Sequence, residues 1–181
     1  MSLPGPDDWK TILSVLALVL SVFSFLFTRR SWLQSNRPIV SAAVETHDGG
    51  NESIAYNLVL SNTGNRPATN VRIRVKESDI DACLSEWVRS QKVKNAIYSG
   101  VMRCFSDDGE IPLLLNGKSM KNSFGYTRGD QQTFWHYGAS LPVEIEYCDL
   151  DARKYKSKQM IRIKDSDGFA GGVWKLSSKE S

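Results

Sequence analysis

The chain is poor in the residues that do chemistry. Two histidines and three cysteines stand among 181 residues, and neither kind clusters. His47 lies in a turn-rich stretch and His136 among aromatics. Neither has the spacing of a metal ligand or a catalytic triad, so both are expected to be structural and no catalytic residue is assigned. Cys83, Cys104 and Cys148 are widely spaced, odd in number and outside any Cys-x-x-Cys or Cys/His pattern, which indicates neither a zinc motif nor a disulfide framework. Free thiols point to a reducing compartment. No glycine loop of the Walker or dinucleotide type is present. Asp165-Ser166-Asp167-Gly168 opens like a calcium loop, but its twelfth position is Leu176 rather than a carboxylate, so it reads as a turn. Asp149 and Asp151 read as a solvated hairpin turn rather than a catalytic pair. No cofactor or metal is expected. A formal net charge of +3, spread along the chain, argues against a nucleic-acid-binding surface, which is more basic and more clustered.

What the chain has is a long run without charge. Between Lys10 and Arg29 stand eighteen uncharged residues, TILSVLALVLSVFSFLFT. As a helix they span about 27 Å at ~1.5 Å per residue, close to the roughly 30 Å hydrocarbon core of a bilayer. Trp9 and Trp32 bracket the run at headgroup level, and Arg29 and Arg30 close it. A cleaved signal peptide needs a basic leader and small residues at a cleavage site, whereas Asp7 and Asp8 precede this run and Phe27-Thr28-Arg29-Arg30 ends it. The expected organisation is a polar tail over 1–10, a transmembrane helix over 11–28, a juxtamembrane linker over 29–37, a β domain over 38–176 and a short tail over 177–181. One basic residue, Lys10, precedes the helix, while Arg29, Arg30 and Arg37 follow it, so the positive-inside rule puts the domain in the cytoplasm. Ser14, Ala17, Ser21 and Ser24 fall on one helical face together with Thr11 and Thr28. Small and hydroxylated residues so placed let two helices approach closely, which makes homo-oligomerisation through the helix an expectation. The competing reading is that the hydroxyls bond back to their own helix.

Behind the helix the pattern turns to period two. Ile54, Tyr56, Leu58 and Leu60 share one face of a strand, with Asn57 and Ser61 on the other. Val71, Ile73 and Val75 alternate with Arg72, Arg74 and Lys76, and Val143, Ile145 and Tyr147 with Glu144 and Glu146. Such patterning predicts strands with one buried and one wet face. Tyr155, Ile161 and Ile163 oppose Lys154, Lys156, Lys158, Arg162 and Lys164, so the glutamates are expected to meet these lysines across the sheet. His47-Asp48-Gly49-Gly50-Asn51 reads as a turn. Residues 79–93 read as one helix with Ile80, Cys83, Leu84, Trp87 and Val88 on its apolar face, capped by Ser78 or Asp79. Residues 111–126 read as a hairpin about Asn116-Gly117. Phe169, Val173 and Trp174 suggest a last docked strand.

The stretch LVLSNTGNRPATNVRIRV resembles the strand-loop-strand signature of immunoglobulin-like sandwiches in bacterial adhesion-related domains. VEIEYCDLDARKY resembles the closing hairpin of small membrane-anchored bacterial proteins. The resemblance covers about a third of the domain and its motifs are structural. It implies an antiparallel immunoglobulin-like β-sandwich with a short helical insertion, and it carries no catalytic residue across. Phe134-Trp135-His136-Tyr137 is the remaining candidate. Four consecutive rings cannot all face one core from a strand, so part of the run is expected at a partner or ligand surface. The expected protein is therefore non-enzymatic and held in the lipid bilayer, recruiting a protein partner there. The alternative is a ligand-sensing effector that oligomerises through its helix.

Overall fold

A computed structural model describes residues 6–49, 53–91, 96–130, 132–136 and 138–163, and the chain divides into two compact units, 1–37 and 38–181. The expected last strand at Phe169, Val173 and Trp174, the turn at 165–168 and the ring of Tyr137 lie outside the described residues.

The first unit is one helix, α1 (Pro6–Ser35), of 30 residues. It extends beyond the expected segment at both ends, so residues 29–35, expected as linker, are helical. The run RRSWLQS contains no helix breaker, and helix stops only before Pro38, which disfavours helical conformation in the residue ahead of it.

The second unit is mainly antiparallel β. Its strands are β1 (Val40–Gly49), β2 (Ser53–Asn62), β3 (Ala68–Arg74), β4 (Ile111–Leu114), β5 (Ser119–Arg128), β6 (Ser140–Cys148) and β7 (Lys154–Arg162). They form two sheets in the orders β1-β2-β5 and β4-β3-β6-β7. Alternation decides which face is inside. In β6, Leu141, Val143, Ile145 and Tyr147 are buried while Pro142 is exposed and Glu144 and Glu146 are half-buried. Tyr56, Leu58 and Leu60 of the first sheet join Val71, Ile73, Val143, Ile145 and Ile161 of the second in a single apolar core. Along one side, Gln159 of β7 bridges to the other sheet: its Oε1 accepts from the Ala42 amide at 2.8 Å and its Nε2 donates to the Val40 carbonyl at 3.2 Å. This stitches the first strand to the last.

Three local expectations are corrected. β1 runs through His47 to Gly49, with a bulge between Thr46 and Asp48, so the first three residues of the expected turn belong to the strand, and Gly50 and Asn51 lie outside the described residues. The Asn116-Gly117 turn, with Gly117 at φ +66°, does not close a hairpin. β4 pairs with β3 and β5 with β2, so the turn carries the chain between sheets, held by donation from the Gly117 amide to the Asn62 carbonyl at 2.8 Å. The expected single helix at 79–93 is two, α2 (Glu77–Cys83) and α3 (Glu86–Gln91), followed by α4 (Ala96–Arg103). Between the first two the backbone is extended at Leu84, which bridges to Trp135. Ser85 then starts a new helix, its hydroxyl accepting from the Val88 amide at 3.2 Å in an N-cap arrangement. Ile80, Cys83, Leu84 and Val88 are buried as their spacing requires, with Trp87 half-buried, so the apolar face holds while the helix breaks.

Candidate functional site

The segment Trp9–Ser35 is long and apolar enough to cross a membrane, and none of its most apolar window is buried. Leu13, Leu18, Phe23, Phe25 and Phe27 are each more than 60% exposed. Trp9 and Trp32 are exposed at its two ends, with Arg29 and Arg30 inside the last two turns. Ser14, Ala17, Ser21 and Ser24 are also exposed, and the Ser14 hydroxyl donates to the Lys10 carbonyl of its own helix at 2.8 Å. That bond occupies the hydroxyl proton a neighbouring helix would receive.

The aromatic run is divided by the fold. Phe134 and Trp135 are completely buried, so neither offers a partner or ligand surface. His136 is exposed, with its Nε2 3.4 Å from Arg89 Nη2. The cause lies at Gly125, where φ is +77° and a Cβ would stand 2.6 Å from Phe134 Cδ1 and 3.0 Å from Trp135 Nε1. Because Gly125 has no side chain, both rings enter the core. Trp135 stacks on Phe124 with centroids 4.9 Å apart and donates its indole N–H to the Phe124 carbonyl. The sequence signal for this was a glycine inside a strand pattern, a mark of close approach.

The outer face of the second sheet carries opposite charges in register. Glu144 stands opposite Lys158 and Glu146 opposite Lys156, while Arg72 and Arg74 of β3 flank the same glutamates from the other side. Lys156 pairs with Glu144 at 3.1 Å and with Glu146, Arg72 with Glu110, and Arg74 with Asp107 at 2.5 Å. The hydrogen bond from Lys156 holds the Glu146 carboxyl below its ordinary value, and that from Arg74 does the same for Asp107. These pairs are exposed and individually weak. Together they neutralise the face, so it is a poor site for an isolated anion.

One end of the domain gathers the approach to β1, the β2–β3 loop, the β4–β5 turn and the β6–β7 turn. Val40 pairs with Asn62, Ala68 with Leu114, and Cys148 with Lys154. Asn62 organises it. Its buried amide oxygen accepts from the amides of Ile39 at 3.2 Å and Gly64 at 3.0 Å, and its nitrogen donates to the carbonyls of Arg66 at 2.8 Å and Leu114 at 3.1 Å. Asp149 holds the β6–β7 turn and is buried, not solvated as its turn setting suggested. Burial raises its pKa, but donation from the Arg153 amide, the Tyr155 hydroxyl and the Asp151 amide outweighs that and keeps the carboxyl below the usual range. Asp151 pairs with Arg66 at 2.7 Å. These contacts fix loops whose outward tips are apolar: Ile39, Leu115 and Leu150 are 46%, 48% and 58% exposed.

Beside this end the sandwich is open. A cleft of about 140 Å3 between β4 and β5 is lined by Leu58, Leu60, Ile73, Ile111 and Met120, with Met120 half exposed. Residues 119–123 of β5 are exposed. Their backbone pairs with β2 alone among the described residues. Cys104 lines the same cleft, its thiol raised by burial and accepting from Asn122 Nδ2 at 3.2 Å, and burial likewise raises Cys83. No two of the three cysteines are joined. Among the described residues no group of three His, Cys, Asp or Glu side chains is placed to hold a metal ion.

Fold and surface together define a class: a small antiparallel two-sheet domain joined to a helix with the length and composition to cross a bilayer. The chain belongs to the family described as a domain of unknown function, DUF8453, whose model matches residues 9–166. That match takes in the apolar helix and the β domain together. No curated protein and no solved structure matches the chain.

Proposed function

We propose that this protein is a single-pass membrane-anchored, non-enzymatic interaction module whose immunoglobulin-like domain recruits a protein partner at the membrane, on the cytoplasmic side. The observation that carries it is the contrast between the two units. The helix leaves its apolar side chains exposed, whereas the β domain closes a core of its own. A family match running through both supports a retained anchor rather than a removable leader.

Strand order supports the immunoglobulin-like reading. Lettered in that scheme, β1-β2-β5 follows A-B-E and β4-β3-β6-β7 follows C′-C-F-G, with α2 to α4 inserted between C and C′. The partner site in this reading is the outer edge of β5. Of the four edge strands, β7 carries Lys154, Lys156 and Lys158, β4 is short and contains Pro112, and β1 is engaged by Gln159. These are devices that discourage strand addition. The first half of β5 carries a single lysine, Lys121, paired with Glu45 at 2.6 Å, and lies beside an apolar cleft, the arrangement that accepts an extended segment whose alternate side chains fill a pocket.

A photo-crosslinker placed at Met120 in the full chain, expressed in its own cells, tests this. The expected result is a discrete crosslinked protein that is absent when the same group sits at Lys158. Equal or absent crosslinking at the two positions refutes the β5 site. Release of the chain from membranes by alkaline carbonate refutes the anchor.

A further inference from the structure

The domain carries a second surface, at the end organised by Asn62. Three exposed apolar side chains sit at the tips of three separate segments: Ile39 before β1, Leu115 in the β4–β5 turn and Leu150 in the β6–β7 turn. Buried hydrogen bonds at Asn62 and Asp149 set the backbone beneath them, so the tips are presented by a rigid base. Around them stand exposed cations, Lys118, Arg153 and Lys154. The two acids of this end are engaged within the fold, Asp149 by backbone amides and Tyr155, and Asp151 by Arg66. At the opposite end α2 and α3 show the reverse character. Glu77 and Glu86 are exposed there, and the apolar residues Ile80, Leu84 and Val88 are turned inward.

The apolar, cationic end is also the one at which the chain enters from α1. Helix ends at Ser35 and strand begins at Val40, and those five steps span at most about 18 Å when fully extended. By covalent connection alone, Ile39 stays near the helix end marked by Arg29, Arg30 and Trp32.

We propose that the Ile39/Leu115/Leu150 end of the domain docks on the anionic lipid surface of the bilayer that holds α1, the three tips entering the headgroup region and Lys118, Arg153 and Lys154 meeting lipid phosphates. This rests on the reading of α1 as an anchor. Scattered exposed leucines need no explanation, but three on converging loops with a cationic rim match the composition of a membrane-surface contact. Docking there fixes the domain's attitude to the membrane, and it leaves the outer edge of β5 free beside it.

The test uses the full chain in vesicles rich in phosphatidylglycerol, in a Cys148→Ser background because Cys83 and Cys104 are buried. An environment-sensitive dye is placed at Leu115→Cys, Leu150→Cys or Glu86→Cys, and quenching by headgroup-proximal spin-labelled lipid is read. The expected result is quenching at 115 and 150 at least threefold above that at 86, falling to the level at 86 when Lys118→Glu and Arg153→Glu are added. Equal quenching at all three positions overturns the proposal. Alkaline carbonate extraction of the same vesicles separates the two readings. Retention of the protein with unquenched tips refutes docking and leaves the anchor standing, whereas release with unquenched tips refutes both.

Discussion

Replacing Asn62 by alanine removes a side chain that does the work of four separate contacts. It leaves the Ile39 and Gly64 amides and the Arg66 and Leu114 carbonyls without their partner. The bonds to Gly64 and Leu114 are buried, and a buried unpaired group costs about 1–3 kcal/mol. The other two groups are partly accessible and recover much of their loss from water. Taking about 1.5 kcal/mol for each buried group and about 0.5 for each accessible one gives about 4 kcal/mol. That is a large share of the ~5–15 kcal/mol available to a domain. Urea titration of the full chain in mild detergent, followed by near-ultraviolet circular dichroism of the packed rings, is the assay. With a slope of about 1.5 kcal/mol/M the midpoint moves down by roughly 2.5 M. Asn62→Asp sharpens the reasoning. Its carboxylate still accepts from two amides but turns oxygen toward two carbonyls, so at neutral pH it destabilises at least as much as alanine. Its deficit shrinks in acid, where a carboxylic acid donates again. An alanine variant within about 1 kcal/mol of the parent refutes the hub, as does an aspartate variant milder than alanine at pH 7.

Gly125→Ala is expected to cost about 3 kcal/mol, from the left-handed backbone and the overlap with Phe134 together. Adding Phe134→Leu relieves part of the overlap, so thermal melting should show the pair to be less than additive. Ser85→Ala removes the cap of α3 and should lower stability by about 1 kcal/mol, with amide exchange rising first at Val88. The Asp149 carboxyl titrates lower in the folded protein than in the unfolded chain. Its contribution is therefore complete above the unfolded value of about 3.9 and is lost as pH falls through the folded one. Asp149→Asn should flatten the acid limb of the stability profile, and an unchanged limb would show that the Tyr155 and amide bonds carry no preference for the anion. Asp107, whose carboxyl is also lowered, is exposed and screened, so Asp107→Asn should leave that limb nearly intact.

The helix and the strand faces were legible because each is a local pattern. Eighteen residues without charge between Trp9 and Trp32 admit few structures, and alternation in β6 and β7 put the glutamates of one strand on the face of the other's lysines, which the register then pairs as Glu144 with Lys158 and Glu146 with Lys156. Pairing partners were not legible, because they depend on distant chain. Nothing near Asn116-Gly117 reports that β4 is held by β3 and β5 by β2, so a good hairpin turn reads as a hairpin. The split at Leu84 had a trace in Ser85, a strong cap residue inside an apolar helical pattern, and the pattern outweighed it. The aromatic run misled because exposure was judged from strand geometry, whereas residues 132–136 are not a strand and Gly125 opens the interior to two of the rings. The surface formed by Ile39, Leu115 and Leu150 carried no sequence signal, since Ile39 and Leu115 adjoin the apolar residues of strands, Leu150 stands between two aspartates, and only folding brings the three together.

The bond between Gln159 and Val40 also sets a schedule for making the protein. The two residues are 119 positions apart, the strands they join being the first and last of the described domain. At a synthesis rate of about 5–20 residues per second, roughly 6–24 s separate them on the ribosome. Through that interval the apolar helix has already emerged, while β1 waits without the strand that engages its edge. With α1 read as an anchor, the nascent domain spends those seconds tethered, and a chaperone acting on it does so beside the insertion machinery rather than in open solution.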